Sequence, residues 1–165
     1  KFVKKIHDSK VKIKSKYEFD IKIYESLFDN TEQIVLSKGN INNGEPVMVR
    51  VHVTDYFDNL FGEYGSDDAS LNKSVEVIQG HGRGILVLIR DSGKSIMNRL
   101  ITNTSSGSNK SQNEKDELRI YGMGAQILSE LGVEEMILLT NTEWKFIGLE
   151  AYGINIIETR LLSEL

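Results

Sequence analysis

The arginine and the histidine of the stretch VMVRVHV, residues 47–53, are the first candidates for chemistry. Valine occupies every odd position of this stretch, so a β-strand would place Arg50 and His52 together on the opposite face. A guanidinium binds carboxylates and phosphates through paired hydrogen bonds. The pattern predicts an anion-binding site on this strand, with solvated or structurally paired side chains as the alternative.

Cysteine and histidine, the commonest zinc ligands, are scarce in this chain. It contains no cysteine, which excludes disulfides and every thiolate zinc site. Its histidines are far apart in sequence and form no ligand cluster: His7, His52 and His81. Carboxylates within residues 55–68 could meet a hard cation such as Mg²⁺ or Ca²⁺, but their spacing fits no dedicated cation loop. We therefore expect no metal site but an acidic surface loop at Asp55, Asp58, Glu63, Asp67 and Asp68.

The stretch 118–145 contains the elements around which the chain is organised. Apolar residues recur at three- and four-residue spacing up to Leu131, which predicts a helix that ends at Gly132. Residues 136–139 are an unbroken apolar run, typical of a buried strand, and Thr140 follows it. Ligand groups in α/β sheets commonly lie where such strands end. The unit therefore predicts a site near Thr140, with a strand-end cap or plain helix–strand packing as the alternative.

Short strands precede this unit, and helices alternate with strands around it. Strands are predicted within 10–25 and at 34–37, 47–53, 85–89, 136–139 and 154–157. Helices are predicted at 69–79, 93–100, 118–131 and 144–152. Residues 102–115 are small or polar throughout, so we expect a mobile loop there. This order predicts an α/β fold with a mixed sheet flanked by helices.

Composition limits the classes of function. At 165 residues, with 39% hydrophobic and 27% charged residues, the chain has the size and composition of one globular domain. A net charge of −4 argues against nucleic acid as a partner, and no apolar run approaches membrane-spanning length. No signal peptide is visible, so we expect a cytoplasmic location. Because the chain begins at Lys1 without methionine, we expect a piece of a longer polypeptide.

Three segments of the sequence resemble the carboxyl-terminal half of GTP cyclohydrolase II, an enzyme of riboflavin biosynthesis. They are RIYGMGAQIL at 119–128, LGV at 131–133 and LLTN at 138–141. The segments keep the family's order almost without gaps, and the resemblance extends over roughly residues 17 to 160. It implies a GTP cyclohydrolase II-like domain at 17–165, with residues 1–16 as a lead-in or linker strand. The family opens the guanine ring of GTP and releases formate and pyrophosphate.

The resemblance also implies roles for individual residues. Arg119 matches the arginine proposed in the family as nucleophile toward the α-phosphate, and Glu117 replaces the aspartate that acts as its base. The other matched positions would contact the substrate: Arg50, His52, Gly93, Lys94, Thr140 and Lys145. Without the resemblance, Arg119 is an ordinary exposed arginine and Lys94 is a solvated lysine at a helix start.

The sequence departs from the family where the chemistry is done. The family's Arg-Val-His-Ser-Glu-Cys motif continues here as Val53-Thr54-Asp55, and its later Cys-x-Cys is replaced within 65–68. In the family a zinc-bound water opens the imidazole ring, and no replacement for it is visible here. The family's substrate segment finds no match within 102–115 either. We therefore expect no zinc cofactor, whereas Mg²⁺ could accompany a nucleotide.

The sequence thus predicts a pseudoenzyme, a GTP cyclohydrolase II-like domain that supports or regulates another domain. The family is often fused behind 3,4-dihydroxy-2-butanone 4-phosphate synthase, which is therefore the expected upstream partner. A homodimer is expected because family members dimerise. The alternatives are a nucleotide-binding sensor and a zinc-independent GTP hydrolase that acts through Arg119, Lys94 and Lys145.

Overall fold

A computed structural model describes residues 2–54, 66–90, 110–141 and 149–165, without the side chains of 54, 66–68 and 110–118. The strands in these ranges are β1 (Val3–Ile13), β2 (Tyr17–Ser26), β3 (Glu32–Lys38), β4 (Val47–Thr54), β5 (Gly84–Arg90), β6 (Glu135–Thr140) and β7 (Asn155–Leu161). The α-helices are α1 (Ser66–His81) and α2 (Lys110–Glu130), and 3-10 helices cover Leu149–Tyr152 and Leu162–Glu164.

These strands form one mixed sheet in the order β1-β2-β3-β5-β4-β6-β7. Strands β5, β4, β6 and β7 run parallel, and β3, β2 and β1 continue the sheet through antiparallel pairs. From β4 the chain crosses through α1 to β5 on one side, and from β5 it crosses through α2 to β6 on the other. The connections therefore change direction between β4 and β6, which is the usual ligand position in such a sheet. The predicted α/β fold with a mixed sheet is confirmed.

The two helices cover opposite faces of the sheet, as the residue pattern of β4 requires. The odd-numbered valines of residues 47–53 pack in a core that includes Ile127 of α2. Met48, on the even face, packs in a second core with Ile78 of α1. Period-two alternation thus places Arg50 and His52 on the α1 face, and the predicted division of this strand is confirmed.

The ends of the parallel strands lie together at one edge of the sheet, where a site would be expected. The antiparallel pairs Val3↔Ser26 and Ile34↔Leu88 bring the start of β1, the end of β2 and the start of β3 to the edge where the parallel strands end. We call this edge the carboxyl rim. Its strand-end residues are Val3, Ser26, Glu32, Arg90, Thr54, Thr140 and Leu161.

Helix α2 lies close against the sheet because it carries a glycine at the contact. A Cβ on Gly124 would stand 3.3 Å from Ile89 Cδ1 and 3.8 Å from Val51 Cγ1. The helix ends as predicted at Gly132, whose φ is +84°, a conformation that glycine adopts at little cost. The amide of Val133 donates to the carbonyl of Leu128 at 3.1 Å, which satisfies one of the last carbonyls of the helix.

Two predicted loops are partly helical. Residues 110–115, predicted as part of a mobile loop over 102–115, belong to the first turns of α2. Residues 66–68, predicted as the end of an acidic loop, are the first turn of α1. Apolar periodicity misses these turns because neither contains an apolar residue. Residues 110–115 include the helix-favouring types Lys, Gln and Glu, whereas Ser and Asp at 66–68 are types that favour the start of a helix. The rest of both loops and the helix predicted at 93–100 lie outside the described residues.

The long strand β1 belongs to the same sheet as the rest of the chain. It pairs with β2 from Val3↔Ser26 to Ile13↔Tyr17, so the predicted boundary between residues 16 and 17 falls at the turn between these two strands.

Among the described residues, no helix has the length and apolar character needed to cross a membrane.

Candidate functional site

Arg50 lies in the middle of β4 and level with the end of β6, at the point where the chain connections change direction. Its Cα stands opposite that of Leu139 in β6. The guanidinium Nη1 donates a hydrogen bond to the backbone carbonyl of Leu139 at 3.4 Å, and Nη2 donates to Ser70 Oγ of α1 at 3.3 Å. Three elements therefore hold this arginine, and they fix its direction at the carboxyl rim.

Ser70 and Asn141 complete this group, although sequence reasoning did not select either as a site residue. Asn141 Nδ2 donates to Ser70 Oγ at 2.7 Å, and Ser74 Oγ donates to the backbone carbonyl of Ser70 at 2.8 Å. The position of Asn141 directly after a buried strand was a usable signal. Ser70 gave no signal, since its partners Arg50 and Asn141 are distant in the chain. We call Arg50, Ser70 and Asn141 the switch-point cluster.

His52 and Thr140 are buried at the same rim, with exposed fractions of 2% and 4%. His52 follows Arg50 by two residues and therefore lies on the α1 face of β4. Its burial excludes the solvated alternative that the sequence left open. Leu139 packs in the α1 core, so alternation turns Thr140 toward the α2 face of the sheet.

Arg119 approaches the rim from the α2 face. It is five residues nearer the start of α2 than Gly124, which places it about 7.5 Å further toward the rim. Its side chain is half-buried, and its Nε atom is buried without a hydrogen-bond partner among the described residues. Arg50 and Arg119 thus stand at one rim of the sheet, on opposite faces.

Gln33 fixes the rim between β3 and β5. Its side chain is fully buried; Oε1 accepts a hydrogen bond from the backbone N–H of Arg90 at 2.6 Å, and Nε2 donates to Thr31 Oγ1 at 2.8 Å. The backbone pairs of β3 and β5 extend as far as Ile34↔Leu88. The side chain therefore takes over where backbone pairing stops, and it holds the last residue of β5 beside β3.

The side chains of the remaining predicted site residues lie outside the described part of the structure. Gly93, Lys94 and Lys145 lie outside the described ranges, and Glu117 is placed by its backbone in α2 alone. Their assigned contacts stay predictions. Within the described ranges, no three histidine, aspartate or glutamate side chains come together as metal ligands. Two guanidinium groups of the kind that binds a phosphate or a carboxylate, those of Arg50 and Arg119, are present at the described rim.

The sequence is similar to known riboflavin proteins over most of its length. It is 37% identical to the riboflavin biosynthesis protein RibBA of Chlorobium phaeovibrioides over 154 residues, which are 86% of this chain and 37% of that protein. It is 35% identical over 142 residues to the monofunctional riboflavin biosynthesis protein RIBA 2 of Arabidopsis thaliana, which are 84% of this chain and 30% of that protein. The chain thus spans about a third of the length of these relatives.

A solved structure shares the fold. The two-domain 3,4-dihydroxy-2-butanone 4-phosphate synthase RibBX of A. baumannii matches with a TM-score of 0.58 and 18% identity, over 96% of this chain and 40% of that one. The family model described as GTP cyclohydrolase II matches residues 5–160, which include the switch-point cluster, Arg119 and Gln33. The chain belongs to the GTP cyclohydrolase II family.

Proposed function

We propose that this chain is a GTP cyclohydrolase II-like domain of riboflavin biosynthesis that no longer opens the guanine ring of GTP. It serves instead as the structural or regulatory partner of a fused 3,4-dihydroxy-2-butanone 4-phosphate synthase domain. The observation that carries this proposal is the absence of cysteine from the whole sequence. A thiolate zinc site of the family's kind needs cysteine ligands, and no other described residues gather to replace them.

The residues present do not fit the zinc that the family implies, and the expected loss of rate is large. Coordination to zinc lowers the pKa of water to about 7 in zinc hydrolases, which supplies hydroxide at neutral pH. Each increase of about 1.36 kcal/mol in the barrier slows a reaction tenfold. Anion binding by Arg50 or Arg119 would not restore this rate, because binding substrate and transition state equally does not raise the rate of the chemical step.

The relatives support the fused partner. Several are longer proteins of which this chain matches little more than a third, and the solved structure of similar fold is described as a two-domain synthase. A domain retained for contact with a synthase needs its scaffold rather than its ring-opening chemistry. This agrees with a chain that keeps the family's helix–strand core and lacks the zinc ligands.

Calorimetry with the purified chain tests the loss of catalysis. GTP with Mg²⁺ is injected without added zinc, formate is measured in the same cell, and a cysteine-containing GTP cyclohydrolase II serves as the positive control. We expect no continuing heat and no formate, and added Zn²⁺ should change neither. Sustained heat with formate release, abolished by Arg119→Ala, would overturn the proposal.

A second candidate is a nucleotide sensor or a zinc-independent GTP hydrolase, and the geometry of Arg50 and Arg119 favours it. Both stand at the rim where α/β sheets bind ligands, and Arg50 is already oriented by Ser70. In the same titration, a saturable isotherm without formate would identify a sensor. Arg50→Ala and Arg119→Ala should then abolish binding, while the exposed Lys12→Ala should not.

A further inference from the structure

Three apolar side chains stand exposed together at the β1–β2 end of the carboxyl rim. Phe2, Leu27 and Phe28 have exposed fractions of 37%, 51% and 59%. The rings of Phe2 and Phe28 stack with centroids 5.1 Å apart and an interplanar angle of 22°. We call these three residues the aromatic patch. Scattered apolar residues are common on protein surfaces, whereas a contiguous exposed apolar patch of several hundred Å² often belongs to a contact site.

The backbone beneath the patch is held in place by hydrogen bonds. The amide of Leu27 donates to the carbonyl of Phe2 at 2.8 Å, and the amide of Phe28 donates to Ser26 Oγ at 3.3 Å. Gln126 Oε1 of α2 accepts from the amides of both Phe2 and Val3, the latter at 2.9 Å. The patch is therefore ordered before any partner arrives, which reduces the entropy lost on contact.

The patch shares the rim with the candidate site. Strands β3 and β5 separate β2 from β4, which is about 14 Å across the sheet. Arg50 is level with Ile21 of β2, so the patch also lies about 20 Å further along the strands. Thr31 and Gln33 lie between them: Thr31 accepts from Gln33 Nε2, and Gln33 accepts from the amide of Arg90. A domain that covers the patch would therefore lie at the same edge of the sheet as the candidate site.

The size of the patch distinguishes between two occupants. Its three residues expose about 300 Å² of apolar surface, since each phenylalanine can bury about 150–250 Å². A stable dimer of separate chains commonly buries about 800 Å² on each partner. A domain in the same polypeptide needs less area, because the covalent link supplies a high effective concentration. The relatives are about three times as long as their matched segment, which leaves length enough for such a domain.

We infer that the aromatic patch is the contact surface for a second domain of the same polypeptide. This inference rests on the proposed function, because it names the surface through which this domain meets its fused partner. The contact places the partner on the carboxyl rim, the edge of the sheet at which Arg50 and Arg119 also stand. A ligand at the rim and the contact between the domains would then influence each other, because both lie at the same edge of the sheet.

Hydroxyl-radical footprinting tests the contact on the protein as cells make it. The polypeptide purified from its natural source and the 165-residue chain are oxidised in parallel, and mass spectrometry gives the oxidation rate at each residue. We expect Phe2, Leu27 and Phe28 to react at least fivefold more slowly in the longer polypeptide. Ile157 of β7, which is 45% exposed, is the matched control. Its oxidation rates in the two proteins should agree within twofold. Equal rates at the patch would overturn the inference.

A substitution separates this contact from the alternatives. Phe28→Ser in the longer polypeptide should restore fast oxidation of Phe2, while Ile157→Ser should not. If the patch of the 165-residue chain becomes protected as its concentration rises, the occupant is a second copy and the inference fails. A natural polypeptide no longer than this chain would overturn both the inference and the fused partner. The longer polypeptide could instead contain the synthase and turn over no GTP, yet leave the patch as reactive as in the 165-residue chain. That result would overturn the inference and leave the proposed function standing.

Discussion

Arg50 and Ser70 join β4 to α1 at the carboxyl rim, through a hydrogen bond of 3.3 Å from Nη2 to Oγ. The same arginine donates to the carbonyl of Leu139, so one side chain connects the two strands that flank the change in chain direction. An arginine fixed in this way serves stability whether or not a ligand binds. Its retention is therefore compatible with a domain that has lost catalysis.

The first prediction concerns the energetic coupling within this pair. Arg50→Met and Ser70→Ala should each lower the free energy of unfolding by about 1–2 kcal/mol, because charged hydrogen bonds are lost at a partly buried site. The double variant should show a coupling energy of about 0.5–1.5 kcal/mol in urea titrations. Ser129→Ala, an exposed position on α2, should combine additively with Arg50→Met. Additive losses for Arg50 and Ser70 would mean that their hydrogen bond contributes nothing.

The second prediction concerns Gln33, whose amide is fully buried between Thr31 and the amide of Arg90. Gln33→Met keeps the volume but leaves the Arg90 N–H without its acceptor, so we expect a loss of about 2–3 kcal/mol in unfolding free energy. Thr31→Val removes only the partly exposed acceptor of the Gln33 Nε2 hydrogen bond, and it should lower the unfolding free energy by about 1 kcal/mol. Equal losses from the two variants would show that the bond to Arg90 is unimportant.

The elements with regular patterns could be predicted from sequence. Alternation in residues 47–53 identified the two faces of β4, and Gly132 identified the end of α2 because a positive φ suits glycine. The start of α2 could not be predicted, because residues 110–115 carry no apolar period. Local composition is a weak guide to such turns, since helix propensity differs by only a few tenths of a kcal/mol between neighbouring residue types.

The candidate site was predicted in part. Arg50 was identified from its strand, and Thr140 from its place after a buried run, because both depend on local order. Ser70 was missed, since its contacts with Arg50 and Asn141 arise from the packing of α1 on the sheet. Family resemblance supplied the roles of Arg119 and the other matched residues, which no local pattern would give.

The third prediction compares two glycines. Gly39 has φ of +75°, and a Cβ there would lie 2.7 Å from the carbonyl oxygen of Gly82, so Gly39→Ala should destabilise the fold by about 1–3 kcal/mol. Gly122 is inside α2 with open space around its Cα, so Gly122→Ala should stabilise by about 0.5–1 kcal/mol. Thermal and urea unfolding of the two variants measure both signs. A stabilising Gly39→Ala would contradict the tight turn.

The last prediction concerns stability at high pH. Burial, with the charges of Glu130 and Asp8 as further causes, raises the pKa of Tyr24 from 10.0 to about 12. The folded state therefore keeps the phenol protonated at pH values where the unfolded chain has lost that proton. Below pH 10 the full contribution of this difference is present, and it is lost as the pH rises from 10 to about 12.

Tyr24→Phe tests that contribution, since it keeps the buried ring and removes the titrating hydroxyl. The tyrosine protein should lose about 2–3 kcal/mol more unfolding free energy than the phenylalanine variant between about pH 9 and about pH 12. Lysines titrate in the same range, but they are common to both proteins and cancel in the difference. Val35→Ala, which removes apolar volume from the same core and no titrating group, is the control and should lower stability equally at both pH values. Parallel stability curves for the unmodified protein and the Tyr24→Phe variant would show that the buried phenol ionises as freely in the folded state as in the unfolded chain.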